Sequence, residues 1–242
     1  MKKIIALVAL TGIFLVGCDK KRMEKKSYTV GIDANSGYPF EYKDRCSGEI
    51  NGFEPDLMAE IAKRGNFKID FVESSFLSII PRVTEGNLDM GVGFISITNE
   101  RKKIVDFSEV YYISRVVVLG NKENTNVNKE KLIFGFPKGT HFKNYVKDME
   151  NTVIVEDIDR EGVMEKLISQ EIDYTIADSR IGIKYIERNP MLYEEKTVKN
   201  DSIAIVFSKE LPESFQKKVN IIIDEMKNDG TLDLLKKKYN VE

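Results

Sequence analysis

The amino-acid sequence predicts an α/β protein built in two halves, each a mostly parallel sheet with flanking helices. Three observations carry that prediction. Short apolar runs alternate with amphipathic helical patterns, which is the order of βαβ units. The alternation occurs twice, over 28–94 and again over 132–188. Of the 242 residues, about 215 follow an N-terminal leader and tether, enough to bury the core of one or two domains.

The leader comes first. Met1-Lys2-Lys3 is a basic start, residues 4–16 are apolar except for Thr11 and Gly12, and Leu15-Val16-Gly17-Cys18 closes the run. Residues 1–17 therefore read as a signal peptide. The apolar run falls short of the roughly 20 residues that span a bilayer. Its small-residue end resembles a bacterial lipoprotein processing box, which implies that Cys18 is the lipidated first residue of the mature chain, carrying a palmitate-type anchor. Residues 18–27 are then a charged tether without periodicity, reaching up to roughly 30 Å. No later segment is long and apolar enough for a membrane span, so the globular part is expected outside the cytoplasm, held to the outer face of the membrane.

In the first block, a strand is expected over 28–33, a helix over 55–64, a strand over 68–72, a helix over 77–85 and a strand over 88–94. Asn51-Gly52 marks the turn into the first helix, Pro55 suits its first turn, and Gly65 suits a position just past its end. Leu57, Met58, Ile61 and Ala62 share one face of it, as core residues do. The second block predicts strands over 132–136, 153–155 and 174–177 and helices over 142–149, 161–169 and 180–188. A strand over 203–207 follows, then helices over 213–227 and 232–239 separated by Asn228-Asp229-Gly230.

Composition excludes several functions. The 37 basic and 39 acidic residues become 35 and 39 once the two lysines of 1–17 are removed, a formal charge of −4 that disfavours nucleic acid. If Cys18 is acylated, Cys46 has no partner and no disulfide supports the fold. There is no nucleophile elbow, P-loop, dinucleotide fingerprint, paired-histidine zinc motif or calcium loop. The single histidine leaves no room for a triad without it, so no enzyme activity, cofactor or metal is expected.

The chemistry concentrates in the run 86–101, Gly-Asn-Leu-Asp-Met-Gly-Val-Gly-Phe-Ile-Ser-Ile-Thr-Asn-Glu-Arg, followed by Lys102-Lys103-Ile104-Val105-Asp106-Phe107-Ser108. A buried strand runs into a turn that ends on Arg101, whose planar guanidinium, beside backbone amides and the Ser96 hydroxyl, makes a receptor for a carboxylate. This run resembles the signature of the amino-acid-type extracellular solute-binding proteins of ABC importers (bacterial solute-binding protein family 3). The resemblance implies a two-lobed, type II periplasmic-binding-protein-like fold, with lobe 1 over 28–115 plus 206–242 and lobe 2 over 116–205. The chain would cross near 112–118 and 201–206. A free amino acid would be captured by a monomer and passed to permease subunits. A ligand sensor of the same fold, or a periplasmic cyclic-acid dehydratase, is the alternative.

Binding a free amino acid in a closed cleft buries two charges, each of which needs a partner. By resemblance, Arg101 grips the α-carboxylate with Ser96, and Asp178 accepts the α-ammonium. Asp178 also fits the N-cap of the helix that follows it, and the plainer alternative for Arg101 is a surface ion pair. Gly93 and Phe94 match ligand-facing positions, Phe94 departing from the small residues usual there. Gly135-Phe136-Pro137-Lys138-Gly139-Thr140-His141-Phe142 resembles a glycine–threonine loop that opens a helix and aims amides at the carboxylate, with Thr140 and His141 as contacts. A helix N-terminus attracts an anion in any case. As a residue, His141 reads either as a solvated side chain or as a pH-sensitive group. Asp33, Tyr38 and Phe76 match the positions that choose the side chain, although core packing would explain both aromatics and the loop at 34–37 is one residue longer than usual. Asp33 inclines the reading toward a polar or basic ligand.

Overall fold

The computed structural model describes residues 27–34, 37–44, 46–124, 130–157 and 159–241. The expected signal peptide, Cys18 and all of the tether except its last residue lie outside them. The chain opens with β1 (Ser27–Ile32), a short ribbon β2 (Tyr42–Lys43) and β3 (Ile50–Asn51), and then α1 (Phe53–Gly65). Helix α1 begins after Gly52, whose φ of 138° suits glycine, and carries Pro55 in its first turn, where no amide hydrogen is needed. The helix runs through Gly65, and Asn66 at φ 52° takes the left-handed cap position that the sequence suggested for Gly65. Strand β4 (Lys68–Glu73), α2 (Phe76–Thr84) and β5 (Met90–Gly91) follow. Strand β5 is shorter than the expected 88–94, because Gly93 (φ 147°) and Phe94 (φ 55°) turn the chain out of extension.

Helix α3 (Asn99–Lys102) holds Arg101, and β6 (Asp106–Phe107) precedes the passage into the second half. There the order is β7 (Tyr112–Asn121), β8 (Leu132–Pro137), a single 3₁₀ turn at Phe142–Tyr145, β9 (Thr152–Asp157), α4 (Arg160–Ile168), β10 (Tyr174–Asp178), α5 (Ser179–Arg188) and β11 (Leu192–Ile203). The helix expected over 142–149 is reduced to that one turn. Its start has no side-chain cap, and His141 and Tyr145 are both drawn to Asp201 instead. Strand β12 (Val206–Phe207), α6 (Glu213–Asn228) and α7 (Thr231–Lys238) complete the chain.

Two five-stranded sheets result, in the orders β4-β1-β5-β12-β6 and β11-β7-β10-β8-β9. The βαβ units supply the parallel trios β4-β1-β5 and β10-β8-β9, while β12 and β7 run antiparallel to both of their neighbours. The chain passes between the sheets at 108–111 and returns at 204–205, and the two passages run side by side. The Tyr111 amide donates to the Ile203 carbonyl at 3.1 Å and the Ser108 amide to the Ile205 carbonyl at 2.9 Å.

Each half has its own core. In the first, Val30, Ile32, Leu57, Met58, Ile61, Phe207, Val219 and Ile223 are fully buried, and Tyr28 stacks on Phe215 at 3.9 Å. This brings α6 and α7 back onto α1. In the second, alternate residues of β7 serve opposite faces: Val117 and Leu119 pack with Leu167 and Ile172, Val116 and Val118 with Phe134 and Ile176. No helix among the described residues is long and apolar enough to cross a membrane.

Candidate ligand-binding site

A cavity of about 600 Å³ lies between the two sheets. Its walls come from the carboxyl ends of parallel strands: Asp33 after β1, Ser74 and Ser75 after β4, Gly93 and Phe94 after β5, Pro137 closing β8, Asp159 after β9 and Asp178 closing β10. That is where open α/β sheets hold ligands, and the volume suits a small molecule. Asp33, Phe76, Gly93, Phe94, Ser96, Arg101, Thr140, His141 and Asp178 all line it.

Tyr38 does not. It stands 52 % exposed at the rim, where Lys184 of the other half donates to its carbonyl at 2.7 Å and lies 3.8 Å from its ring centre. Tyr38 thus bridges the halves at the mouth.

Arg101 is 9 % exposed. Thr98 caps its short helix by accepting the Arg101 amide at 3.2 Å. Its Nη1 donates to the Ser96 carbonyl at 2.8 Å, and its Nη2 reaches across to the Gly139 carbonyl of the second half at 3.1 Å. Burial pushes the guanidinium down to about 10, although Asp201 and Glu100 pull the other way. No carboxylate among the described residues comes within ion-pair distance of it. The Phe76 ring centre lies 6.0 Å from the guanidinium, as a side wall.

Asp178 is 4 % exposed and does two jobs with two oxygens. Oδ1 accepts the amides of Arg180 at 2.8 Å and Ile181 at 3.3 Å, capping α5, while Oδ2 accepts the Ser114 hydroxyl at 2.5 Å. Burial raises its pKa against those three hydrogen bonds. Cap and cavity wall are thus the same residue. Asp33 also has a structural duty, since its Oδ2 accepts the Phe76 amide at 2.9 Å at the start of α2.

The loop at 137–141 differs from expectation. Both the Thr140 amide and its hydroxyl turn back to the Pro137 carbonyl, at 3.3 and 2.8 Å, and only a 3₁₀ turn follows, so no helix N-terminus aims at the cavity there. His141 is not solvated. Its side chain is 13 % exposed, with Nε2 2.7 Å from Asp201 Oδ2 and 2.9 Å from the Tyr145 hydroxyl. Phe94 packs at 3.8 Å on Phe40 and 4.9 Å on Tyr112 while also facing the cavity.

Asp201 is the principal lining residue that the sequence did not announce. Its Oδ1 accepts from the Tyr145 hydroxyl at 2.6 Å, and Oδ2 faces His141 and the Ser96 hydroxyl, the latter at 3.3 Å. Burial alone would raise its pKa, yet the hydrogen bonds of His141 and Tyr145 prevail and hold it below the usual aspartate value. Ser114, Thr175 and Arg160 also line the cavity unannounced. The one signal for Ser114 is period-two burial along β7, legible only once that segment is known to be a strand. No group of three or more His, Cys, Asp or Glu side chains among the described residues is placed to hold a metal ion. What the geometry offers is a buried cation on one lobe and a buried anion on the other, facing one cavity.

Comparison with known proteins fits this geometry. The sequence profile of the bacterial extracellular solute-binding proteins, family 3, matches residues 28–242. A probable histidine-binding protein of Campylobacter jejuni is 31 % identical over 258 aligned positions, covering 100 % of both chains. An ancestral arginine-binding protein solved with arginine superposes with a TM-score of 0.76 at 27 % identity, covering 89 % of this chain and 98 % of that one. An ancestral amino acid-binding protein, a precursor of cyclohexadienyl dehydratase, gives 0.76 at 27 %, covering 88 % and 95 %.

Proposed function

Because this chain belongs to the bacterial extracellular solute-binding proteins of family 3, we propose that it captures one free amino acid between its lobes and delivers it to the permease of an ABC importer. The observation that carries the reading is the pairing of Arg101 on the first lobe with Asp178 on the second, both buried and both lining one cavity. Arg101 takes the α-carboxylate, with Ser96 beside it, and Asp178 takes the α-ammonium. Phe76 and Phe94 flank the ligand. The side chain is basic: the carboxylates of Asp33, Glu73, Asp159, Glu161, Asp178 and Asp201 outnumber the cations of Arg101, Lys138 and Arg160 around the cavity, so a ligand with net positive charge balances it best. That agrees with relatives described as histidine- and arginine-binding.

The rest of the proposal concerns setting. The lobes divide at the paired passages, the hinge on which they close: lobe 1 is 28–111 plus 204–241 and lobe 2 is 112–203, so residues 112–115, expected in lobe 1, go with β7 in lobe 2. The protein works as a monomer. Residues 1–17 are removed, and Cys18 carries the lipid that holds the protein to the outer face of the membrane. It binds without catalysing, in keeping with relatives described as binding proteins.

A thermal-shift panel of the common L-amino acids tests the reading, because a ligand that binds only the folded state raises the melting temperature. L-Arginine or L-histidine is expected to give the largest shift. No shift with any amino acid, on protein shown to be free of carried-over ligand, overturns it.

A further inference from the structure

Glu54 lies outside the cavity, fully buried in the second position of α1. A carboxylate there is costly unless donors surround it. Three donors converge on its Oε1: the Gly93 amide at 3.2 Å, the Phe94 amide at 2.9 Å and the Tyr111 hydroxyl in a short hydrogen bond. Two successive amides aimed at one anion form a backbone nest. This nest is the turn whose other side faces the ligand cavity, and it holds Phe94, a residue with a Cβ, at φ 55°. Such a conformation persists only where surrounding structure imposes it.

The third donor links this turn to the hinge. Tyr111 is the last residue of the first passage between lobes, and its amide pairs with the carbonyl of Ile203, the residue just before the return passage. Burial, with Glu54 beside it, keeps the Tyr111 hydroxyl protonated well above its ordinary pKa, so it remains a donor. Phe94 itself rests on Tyr112, the next residue along.

We propose that Glu54 is a positioning residue for ligand capture, its carboxylate fixing the Gly93–Phe94 wall of the cavity and tying that wall to the hinge through Tyr111. The inference rests on the amino-acid reading above. A plainer role, an acid favoured in the first turn of a helix, predicts an effect on stability alone.

The test compares wild type with Glu54→Gln and Tyr111→Phe, measuring amide hydrogen exchange at Gly93 and Phe94, calorimetric affinity for L-arginine and L-histidine, and thermal melting. Glu54→Gln is expected to speed exchange at both amides, leave exchange at the Arg180 amide of the other lobe unchanged, and weaken whichever amino acid the wild type binds by at least about tenfold. Tyr111→Phe, which spares the two amide bonds, should fall between. If Glu54→Gln melts later or earlier but binds within about threefold of wild type, the positioning role is overturned. Should Glu54→Gln fail to fold, Tyr111→Phe decides by the same affinity limit. A wild type that binds none of the common L-amino acids overturns the reading beneath this inference as well, and one that binds another amino acid than these two is compared with the variants on that ligand. A wild type that binds while both variants bind equally overturns this inference alone.

Discussion

Replacing Arg101 by methionine should leave the ligand-free protein as stable as before, or more so, while abolishing binding. The guanidinium is 9 % exposed and meets two carbonyls, with no carboxylate in ion-pair reach among the described residues. A fall from 12.5 to about 10 corresponds to about 3 kcal/mol against the charged form in the folded state. Methionine removes that penalty and fills similar space flexibly. Against the gain stand the two lost hydrogen bonds. Gly139 is exposed, so its carbonyl turns to water; the Ser96 carbonyl loses a buried partner, at about 1–3 kcal/mol. The balance is about 0–2 kcal/mol in favour of the variant, or up to about 8 °C for a chain of this size. Saturating amino acid reverses the order, adding about 2.7 kcal/mol to the wild type at a hundredfold excess over Kd and nothing to the variant. Urea denaturation followed by far-UV circular dichroism reads this, as the chain has no tryptophan. A structural ion pair predicts the opposite, a loss of about 3–5 kcal/mol. A loss of that size would refute the claim that this charge is reserved for a ligand.

Asp178→Asn separates the two duties of that residue: asparagine caps a helix about as well, so melting should hardly change, while calorimetry should show affinity lower by about 2–5 kcal/mol. Unchanged affinity would return Asp178 to a cap alone. Because burial raises the Asp178 pKa, acidification should weaken binding earlier than an ordinary aspartate would, and the stability penalty of its buried charge, present above that raised pKa, should be relieved over the same range. Affinity that stays flat until the ordinary aspartate range contradicts this. Tyr38→Ala should change affinity by no more than about threefold, since the ring is half-exposed outside the cavity; a tenfold loss would put it back in the site. Cys18→Ala should abolish labelling by a fatty-acid probe, and equal labelling of both proteins would end the lipid assignment.

Arg101 and Ser96 were legible because their signal is local, a strand and a turn with a charged end within one short run, whereas the residues around Asp178 announced only a helix N-cap and its ligand role came from the family resemblance. The βαβ order gave the two parallel trios for the same reason. Strand β11 was not legible. Its residues Glu194, Glu195, Lys196 and Lys199 show no apolar alternation, because it forms the outer edge of its sheet and carries two irregularities of register. With it went Asp201, whose meaning depends on His141 and Tyr145, 60 and 56 residues away. The pattern Phe142, Tyr145, Val146, Met149 has helical spacing, yet the tertiary pull of Asp201 prevails over it. Glu54 reads in sequence as an ordinary first-turn acid, and only the fold reveals the amides above it.

The interrupted connectivity of the first lobe sets an order of assembly. Residues 112–203 are continuous and their ends are register partners, Tyr112 opposite Ile203, so everything that builds the second sheet is present once residue 203 has been synthesised. The first sheet must wait. Its strand β6 pairs only with β12, which also lies against β5, and α1 finds its covering helices only beyond residue 212. A chain growing from its N-terminus therefore finishes the inserted half before the half it began with. The wall that bears Arg101 is among the last parts to be completed, so a chain that has emerged only as far as residue 205 holds one complete lobe and no receptor.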